Sequence, residues 1–466
     1  MPTADSAAGA STPGGFGTSP GSVAPGDAFD TGLLNPVAAG RDGRVSDAAF
    51  ARALVAAEVA LVRAYAAAGI APAEAAAGAT ALFDVPIDLA SLARDAVAGG
   101  NPVIPLVRTL RSGAPDAVRP WVHRGATSQD IVDTAMMLVA RDAAPAIHGD
   151  LVRVSRALTA FALAHRDLVA AGRTLTQHAV PTTIGLRAAT WDRAVQRASE
   201  RLRAGTDALF AQWGGAGGTL AATVQDVGAE AASAVRSAYA RELGLGELEA
   251  PWHAYRWPVT EFGDTLVQVV DALGKFATDV ATASRTEIAE LSEPTGGGSS
   301  AMPQKQNPAR SVLIRSAAIR APQLAATLHL AAGLFSDERA DGAWHAEWPA
   351  MRELMRLALG AASHAADLAE GLRVDAAAVA ENLRATDGLI VSERLGAVLG
   401  KERAAEIVAA VASGADLRAL LAEAGQDPDE LLDPARYTGL AGAFVDALGT
   451  LPEAAPPGSP DGVGGT

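Results

Sequence analysis

Between Glu293 and Pro308 the chain carries a string in which almost every residue type can serve chemistry. Gly296, Gly297 and Gly298 are followed by Ser299 and Ser300, then by Met302, Lys305 and Asn307 at short fixed steps. Three successive glycines let backbone amides approach a ligand closely. Lys305 brings a cation and Asn307 an amide. A plain linker would need none of these, and Pro308 suits the first position of a following helix.

Two further polar stretches interrupt helical patterns. The first is His123-Arg124-Gly125-Ala126-Thr127-Ser128-Gln129-Asp130, directly before the apolar-periodic run Ile131 to Ala143. Thr127 or Ser128 is a natural N-cap, and a helix start flanked by hydroxyls, an amide and His123 is a good seat for a carboxylate. Read alone, Thr127-Ser128 is more simply an ordinary capped helix. The second stretch, Gly172 to Thr183, contains too many threonines and β-branched residues for a helix, and Pro181 limits it further. His178 there could bind an anion or carry protons, or simply be hydrogen-bonded in a loop; Thr182 adds a hydroxyl donor.

Long helices are needed to hold these stretches in place, and the pattern supplies them. Val45 to Gly69 repeats apolar residues at helical spacing, with Gly69 as the residue just past its end. From Thr260 to Leu291 the positions Leu266, Val269, Val270, Leu273, Phe276, Val280 and Ile288 recur at three- and four-residue steps. A helix of about 27 residues there would be roughly 40 Å long, a length that belongs to extended bundles. Asp150 to His165 and Leu186 to Trp213 are similar. After Val374 the candidate helices shorten, separated by Thr386-Asp387-Gly388, Gly414 and Asp427-Pro428.

Composition agrees. Apolar residues make up 49% but aromatics only 5%, and the abundant alanine favours helix. The expected fold class is all-α. Residues 1–26 and 452–466 are rich in Gly and Pro and read as disordered tails. Between them we expect an N-terminal helical domain over 27–119, a central long-helix bundle over 120–373 and a small helical domain over 374–451.

The 466 residues carry 38 Lys+Arg against 53 Asp+Glu, a net charge of −15. That balance argues against nucleic acid or an anionic membrane as partner. No apolar run approaches the roughly 20 residues that cross a bilayer, and no secretory signal is visible, so a cytoplasmic location is expected. The absence of cysteine rules out a disulfide framework and thiolate chemistry. The eight histidines are dispersed, with no His-x-x-x-His pair beside a carboxylate, so no metal site is expected.

Together the three stretches resemble the signature regions of the fumarase/aspartase superfamily. Gly298 to Asn307 fits its Gly-Ser-x-x-Met-x-x-Lys-x-Asn pattern at every specified position, and the other two stretches come in the expected order. Within the superfamily the likeness is to the bacterial 3-carboxy-cis,cis-muconate cycloisomerases of aromatic-acid degradation. It rests on His123 to Asp130, on Thr176-Gln177-His178-Ala179, and on Asp337-Glu338-Arg339 followed by Gly342 to Trp348. The resemblance implies a three-domain helical subunit whose long helices form the core of a homotetramer, with each active site drawn from three subunits.

It also implies roles. Ser299 would move the proton at carbon, with Lys305 and His178 in the catalytic set. His123, Arg124, Thr127, Ser128, Gln129, Thr182, Ser300, Met302, Asn307 and Arg339 would hold the substrate, a small tricarboxylate. Because long-range attraction to a protein of charge −15 cannot bind that trianion, a local cationic pocket must, with Lys305 and Arg339 foremost and Arg310 and Arg315 as further cations. Proton transfer of this kind needs no cofactor. One departure is informative: fumarases and amino-acid-type lyases usually carry a histidine directly after Gly-Arg-Thr, where this chain has Leu175. Such enzymes expel poorly leaving groups that benefit from a general acid, whereas reversal of lactone formation expels a carboxylate, pKa about 4, which leaves unprotonated. The reaction that the resemblance implies, and with which this departure is consistent, is addition of a substrate carboxylate to its own double bond, giving 4-carboxymuconolactone. The alternatives are an adenylosuccinate-type or other lyase of the same superfamily, or a helical scaffold without catalysis.

Overall fold

The computed structural model describes residues 31–294, 297–298, 302 and 305–449. The two tails expected at residues 1–26 and 452–466, and Ser299 and Ser300, lie outside the described residues. The described residues are mainly helix. The N-terminal part comprises α1 (Asp47–Ala67), α2 (Ala73–Gly78), α3 (Leu89–Gly99) and α4 (Val103–Gly113). Gly69 adopts φ +74°, the left-handed conformation that closes α1.

Five long helices follow: α5 (Ser128–Ala164), α6 (Ile184–Asp207), α9 (Trp257–Ala283), α10 (Ala309–Gly333) and α11 (Ala343–Glu370), with the shorter α7 (Ala221–Val227) and α8 (Ala229–Leu243) before α9. They pack side by side around one core. Leu266, Val269, Val270, Leu273 and Phe276 of α9 are all fully buried, each contributing about 2 kcal/mol. The pattern expected to run from Thr260 to Leu291 starts three residues earlier and stops at Ala283, because the chain turns there and Glu290 N–H bonds back to Ala283 O at 2.9 Å. Ile131–Ala143 and Asp150–His165, which read as separate segments, are one 37-residue helix that continues through Pro145. At 1.5 Å per residue α5 is about 55 Å long.

The strands are few and short. β1 (Val169–Thr174) and β2 (Gln177–Thr183) form an antiparallel hairpin between α5 and α6, its tip at Leu175 and Thr176, both at positive φ. β3 (Leu291–Ser292) pairs with β6 (Arg373–Val374), and β4 (Gly297–Gly298) with β5 (Gln306–Asn307). The last part contains α12 (Ala376–Arg384), α13 (Ser392–Leu399), α14 (Lys401–Ala412), α15 (Leu417–Glu423), α16 (Pro428–Leu431) and α17 (Ala441–Asp446). It has a small core of its own around Leu395, Ile407 and Leu421, while α17 returns to α6 and α5. Among the described residues no single helix is long and apolar enough to cross a membrane.

Candidate active site

The first polar stretch lies in the turn that enters α5. His123 sits at φ +58°, a strained value for a non-glycine residue, and is held there by Glu58 of α1. The Glu58 carboxylate, fully buried, accepts the His123 backbone N–H at 2.7 Å and bonds the ring Nδ1 at 2.7 Å. Tyr65 OH donates to Arg124 O at 3.1 Å. Gly125 (φ +67°) must be glycine: an added Cβ would stand 2.2 Å from Thr223 Oγ1.

Arg124 is already engaged. Its guanidinium bonds Asp226 Oδ2 at 3.2 and 2.5 Å and stacks over Trp121. Thr127 caps α5, and the Asp130 carboxylate accepts the Thr127 N–H at 2.9 Å. Asp130 also receives Gly214 N–H and Gly215 N–H at 2.8 and 3.0 Å, and His253 Nε2 lies 2.6 Å from its Oδ1. This buried carboxylate thus ties a glycine-rich loop, residues 214–218, to the start of α5. Ser128 follows Thr127, half-buried.

Arg339 arrives from the segment between α10 and α11. Its Nη2 donates to Thr127 Oγ1 at 2.8 Å and to Ala216 O at 3.1 Å, and its Nε to Gln129 Oε1 at 3.3 Å. Three of its five N–H bonds are used, and those on Nη1 have no partner among the described residues. The result is an exposed cation fixed in place with two donors to spare, the fork geometry that suits a carboxylate. Gln129, expected to face a ligand, instead is fully buried with its NH2 turned inward to Asp133 and His253 O. Its type suggested a donor for substrate; its burial leaves only an acceptor, and Arg339 takes it.

The second stretch is the hairpin. His178 sits half-buried on β2 opposite Arg173. Burial, then the Arg173 charge, push its pKa below the ordinary histidine value, while Glu290 pulls the other way. Thr182 lies further down the same strand, half-buried, paired with Ala170. Leu175 is 96% exposed at the tip. Beneath the hairpin the fully buried Glu290 accepts from Arg173 at 2.6 and 3.1 Å, from Arg187 at 3.2 Å and from Asn382 at 3.0 Å.

The third stretch begins just after Glu290. Glu293 accepts the N–H groups of Arg310 and Ser311 at 3.0 and 2.8 Å, anchoring the loop to the start of α10. Asn307 is paired with Gly297, while Lys305 and Met302 are exposed. A cavity of about 300 Å³ opens here, bounded by Asn307, Glu293 and Arg373. Arg310 is committed to Asp367 at 2.8 Å.

Among the described residues the three stretches do not meet within one chain. Thr127 stands at the first residue before α5, and the hairpin begins beyond its far end, about 55 Å away along the helix. Hairpin and third loop are neighbours through Glu290; the Thr127–Arg339 corner is remote from both. Glu58, His253 and the 214–218 loop escaped the sequence reading, which named Asp130 as the end of the first stretch but gave it no role. Four glycines in five positions after Trp213 were the available signal for the loop; nothing in the sequence marked Glu58 or Asp130 as buried.

The residues 41–322 match the family model described as "Lyase". The chain belongs to the fumarase/aspartase superfamily of lyases. This lyase is 45% identical to nitrosuccinate lyase of Streptomyces davaonensis over 92% of its own length and 96% of that protein. It is 41% identical to 3-carboxy-cis,cis-muconate cycloisomerase of Bradyrhizobium diazoefficiens, covering 78% of this chain and 84% of the relative. Its fold superposes on the crystal structure of 3-carboxy-cis,cis-muconate lactonizing enzyme from Pseudomonas putida with a TM-score of 0.78 at 37% identity, covering 86% of this chain and 94% of that one. The lyase is therefore an enzyme of this superfamily, with a mainly helical fold. Among its described residues no cluster of His, Cys, Asp and Glu could hold a metal ion.

Proposed function

We propose that the chain is a 3-carboxy-cis,cis-muconate cycloisomerase. One observation carries this reading: Leu175 follows Gly172-Arg173-Thr174, where lyases of the superfamily usually carry a histidine, and His178, on the same hairpin, is held toward its neutral form. A site without a protonated acid favours a leaving group that departs as a stable anion. In the lactonising direction a substrate carboxylate oxygen forms a C–O bond to one alkene carbon, and a proton reaches the neighbouring carbon. The intermediate carries its electron pair into a carboxylate as an enediolate. In this reading Ser299 delivers the proton, Lys305 and Asn307 stabilise the enediolate, and Arg339 with Thr127 and Ser128 holds a second carboxylate. His123, Ser300, Met302 and Thr182 border the substrate.

The reading requires a homotetramer with sites shared between subunits, and two features support it. The signature stretches lie at opposite ends of α5. In addition, α10 shows a second apolar stripe, with Val312, Ile319 and Leu330 at 52%, 72% and 65% exposure, a face of the kind that another copy of the bundle would cover.

A second reading has its own support: the relative named nitrosuccinate lyase matches more of this chain at higher identity. Nitrosuccinate would lose a proton from carbon and nitrite from its neighbour, giving an unsaturated dicarboxylate. Nitrite is also a weakly basic anion, so Leu175 fits it equally. Incubation of the purified protein with each compound separates the two. The first reading predicts loss of the conjugated diene absorbance of 3-carboxymuconate with formation of lactone; nitrite release from nitrosuccinate, with carboxymuconate untouched, would replace it by the second.

A further inference from the structure

Arg339 does not hold its own position. Its Nε rests on Gln129 Oε1, and Gln129 can offer that oxygen only because its amide is oriented from behind. The NH2 group faces two acceptors, Asp133 Oδ2 at 3.2 Å and His253 O at 2.9 Å, so the reversed amide would set oxygen against oxygen. Asp133 is in turn fixed by four donors. Arg256 grips it from two sides at 2.7 and 3.0 Å, Trp344 Nε1 donates to Oδ1 at 3.0 Å, and Gln129 takes the remaining approach to Oδ2. Arg256 is itself braced by Glu347 at 2.6 to 3.1 Å, with its guanidinium over Trp252 and Phe335.

All of this lies in the interior: Asp133, Arg256, Glu347 and Gln129 are each under 4% exposed. Two carboxylates and one guanidinium removed from water are weak evidence for stability, since a well-packed apolar core would do as well or better. They give direction instead. From this geometry we infer that Asp133, Arg256, Glu347 and Trp344 form a positioning relay. It fixes the Gln129 amide, which aims Arg339 so that its two free N–H bonds meet a substrate carboxylate. The relay joins α5, α9 and α11 to the segment before α11, and explains why a fully buried glutamine stands beside the cap of α5. Gln129 and Asp133 are four residues apart on one helix face, as such a handover requires.

The inference rests on the proposed carboxylate-binding role of Arg339, and its test has one arm that needs no substrate. Crystal structures of the parent and of Gln129→Met are compared. The relay predicts that the Arg339 guanidinium leaves Thr127 Oγ1 and Ala216 O in the variant; an Arg339 still seated on both would overturn it. In the second arm, Gln129→Met raises KM roughly ten-fold, the loss expected for a hydrogen bond to a charged group, while kcat changes little. Trp344→Phe, which removes one donor from Asp133 and keeps the Arg256 clamp, shifts KM the same way by less. Added to Arg339→Ala, Gln129→Met costs nothing further in kcat/KM. Additive losses would mean that Gln129 acts only through packing. If the parent turned over neither compound, the proposed function would fall, while the crystallographic arm would still decide the relay.

Discussion

The guanidinium of Arg173 and the buried carboxylate of Glu290 meet in a two-pronged pair at 2.6 and 3.1 Å. This links the hairpin that carries His178 to the base of the loop that carries Lys305. Arg187 and Asn382 complete the grip, so α6 and α12 are joined at the same carboxylate. Removing the charge leaves two arginines partly uncompensated. Glu290→Gln is expected to cost about 2 kcal/mol, read as a lower midpoint in urea unfolding. Burial raises the Glu290 pKa, but the hydrogen bonds and charge of Arg173, with Asn382 and Arg187, outweigh it and hold the carboxyl below its ordinary range. Its contribution is therefore complete above about pH 4.3 and lost as pH falls through the lower native value. The variant should lose that part of the acid dependence.

His178 has the opposite starting point and the same direction. Burial first, and Arg173 second, lower its pKa, so the ring is neutral at pH 7. If the neutral ring is needed, kcat/KM falls on acidification with a midpoint below about 6.5. His178→Asn should remove that limb and lower kcat/KM on the order of 100-fold. A limb that persists in the variant would assign the titration to another group.

The long helices were legible because their apolar positions repeat over many turns; α9 is the clearest case. Where the reading faltered, a local signal misled. Pro145 and Gly149 lie between the two segments of α5 that read as separate, yet Ala143, Ala144 and Ile147 are buried on both sides of the missing N–H, and packing carries the helix through. The second stretch was recognisably not helix, but Leu175 and Thr176 at the tip are not the residues a tight hairpin usually selects, so the turn had no sequence mark. At the site, residue types were readable and directions were not. Gln129 and Arg124 are both near the cap of α5, but one is turned inward and the other is paired with Asp226. Burial is a property of the assembled helices, and Glu58 beneath His123 illustrates it best.

The outer face of α10 bears on assembly. Ile319 is 72% exposed, between Val312 and Leu330 on the same stripe. If that stripe is covered by another copy, Ile319→Asp should yield smaller species by light scattering and abolish turnover, while the helical content of each subunit is preserved. A variant that retains both the parent's mass and its activity would remove the stripe from the interface.

Shared sites also predict complementation. Ser299→Ala and Thr127→Ala proteins should each be nearly inactive alone. Where one site draws these residues from two different chains, equal random mixing leaves both intact in about a quarter of sites. Recovery to that level after subunit exchange is expected. No recovery after mass spectrometry has shown mixed oligomers would contradict the shared arrangement.

The most direct measurement is a crystal structure with an inert tricarboxylate bound. The account predicts one carboxylate on the two free N–H bonds of Arg339 Nη1, beside Thr127. Lys305 of a second copy and the His178 hairpin of a third should close the same cavity. A tricarboxylate seated away from Arg339, with Lys305 in open solvent far from Thr127 of every copy, would contradict it.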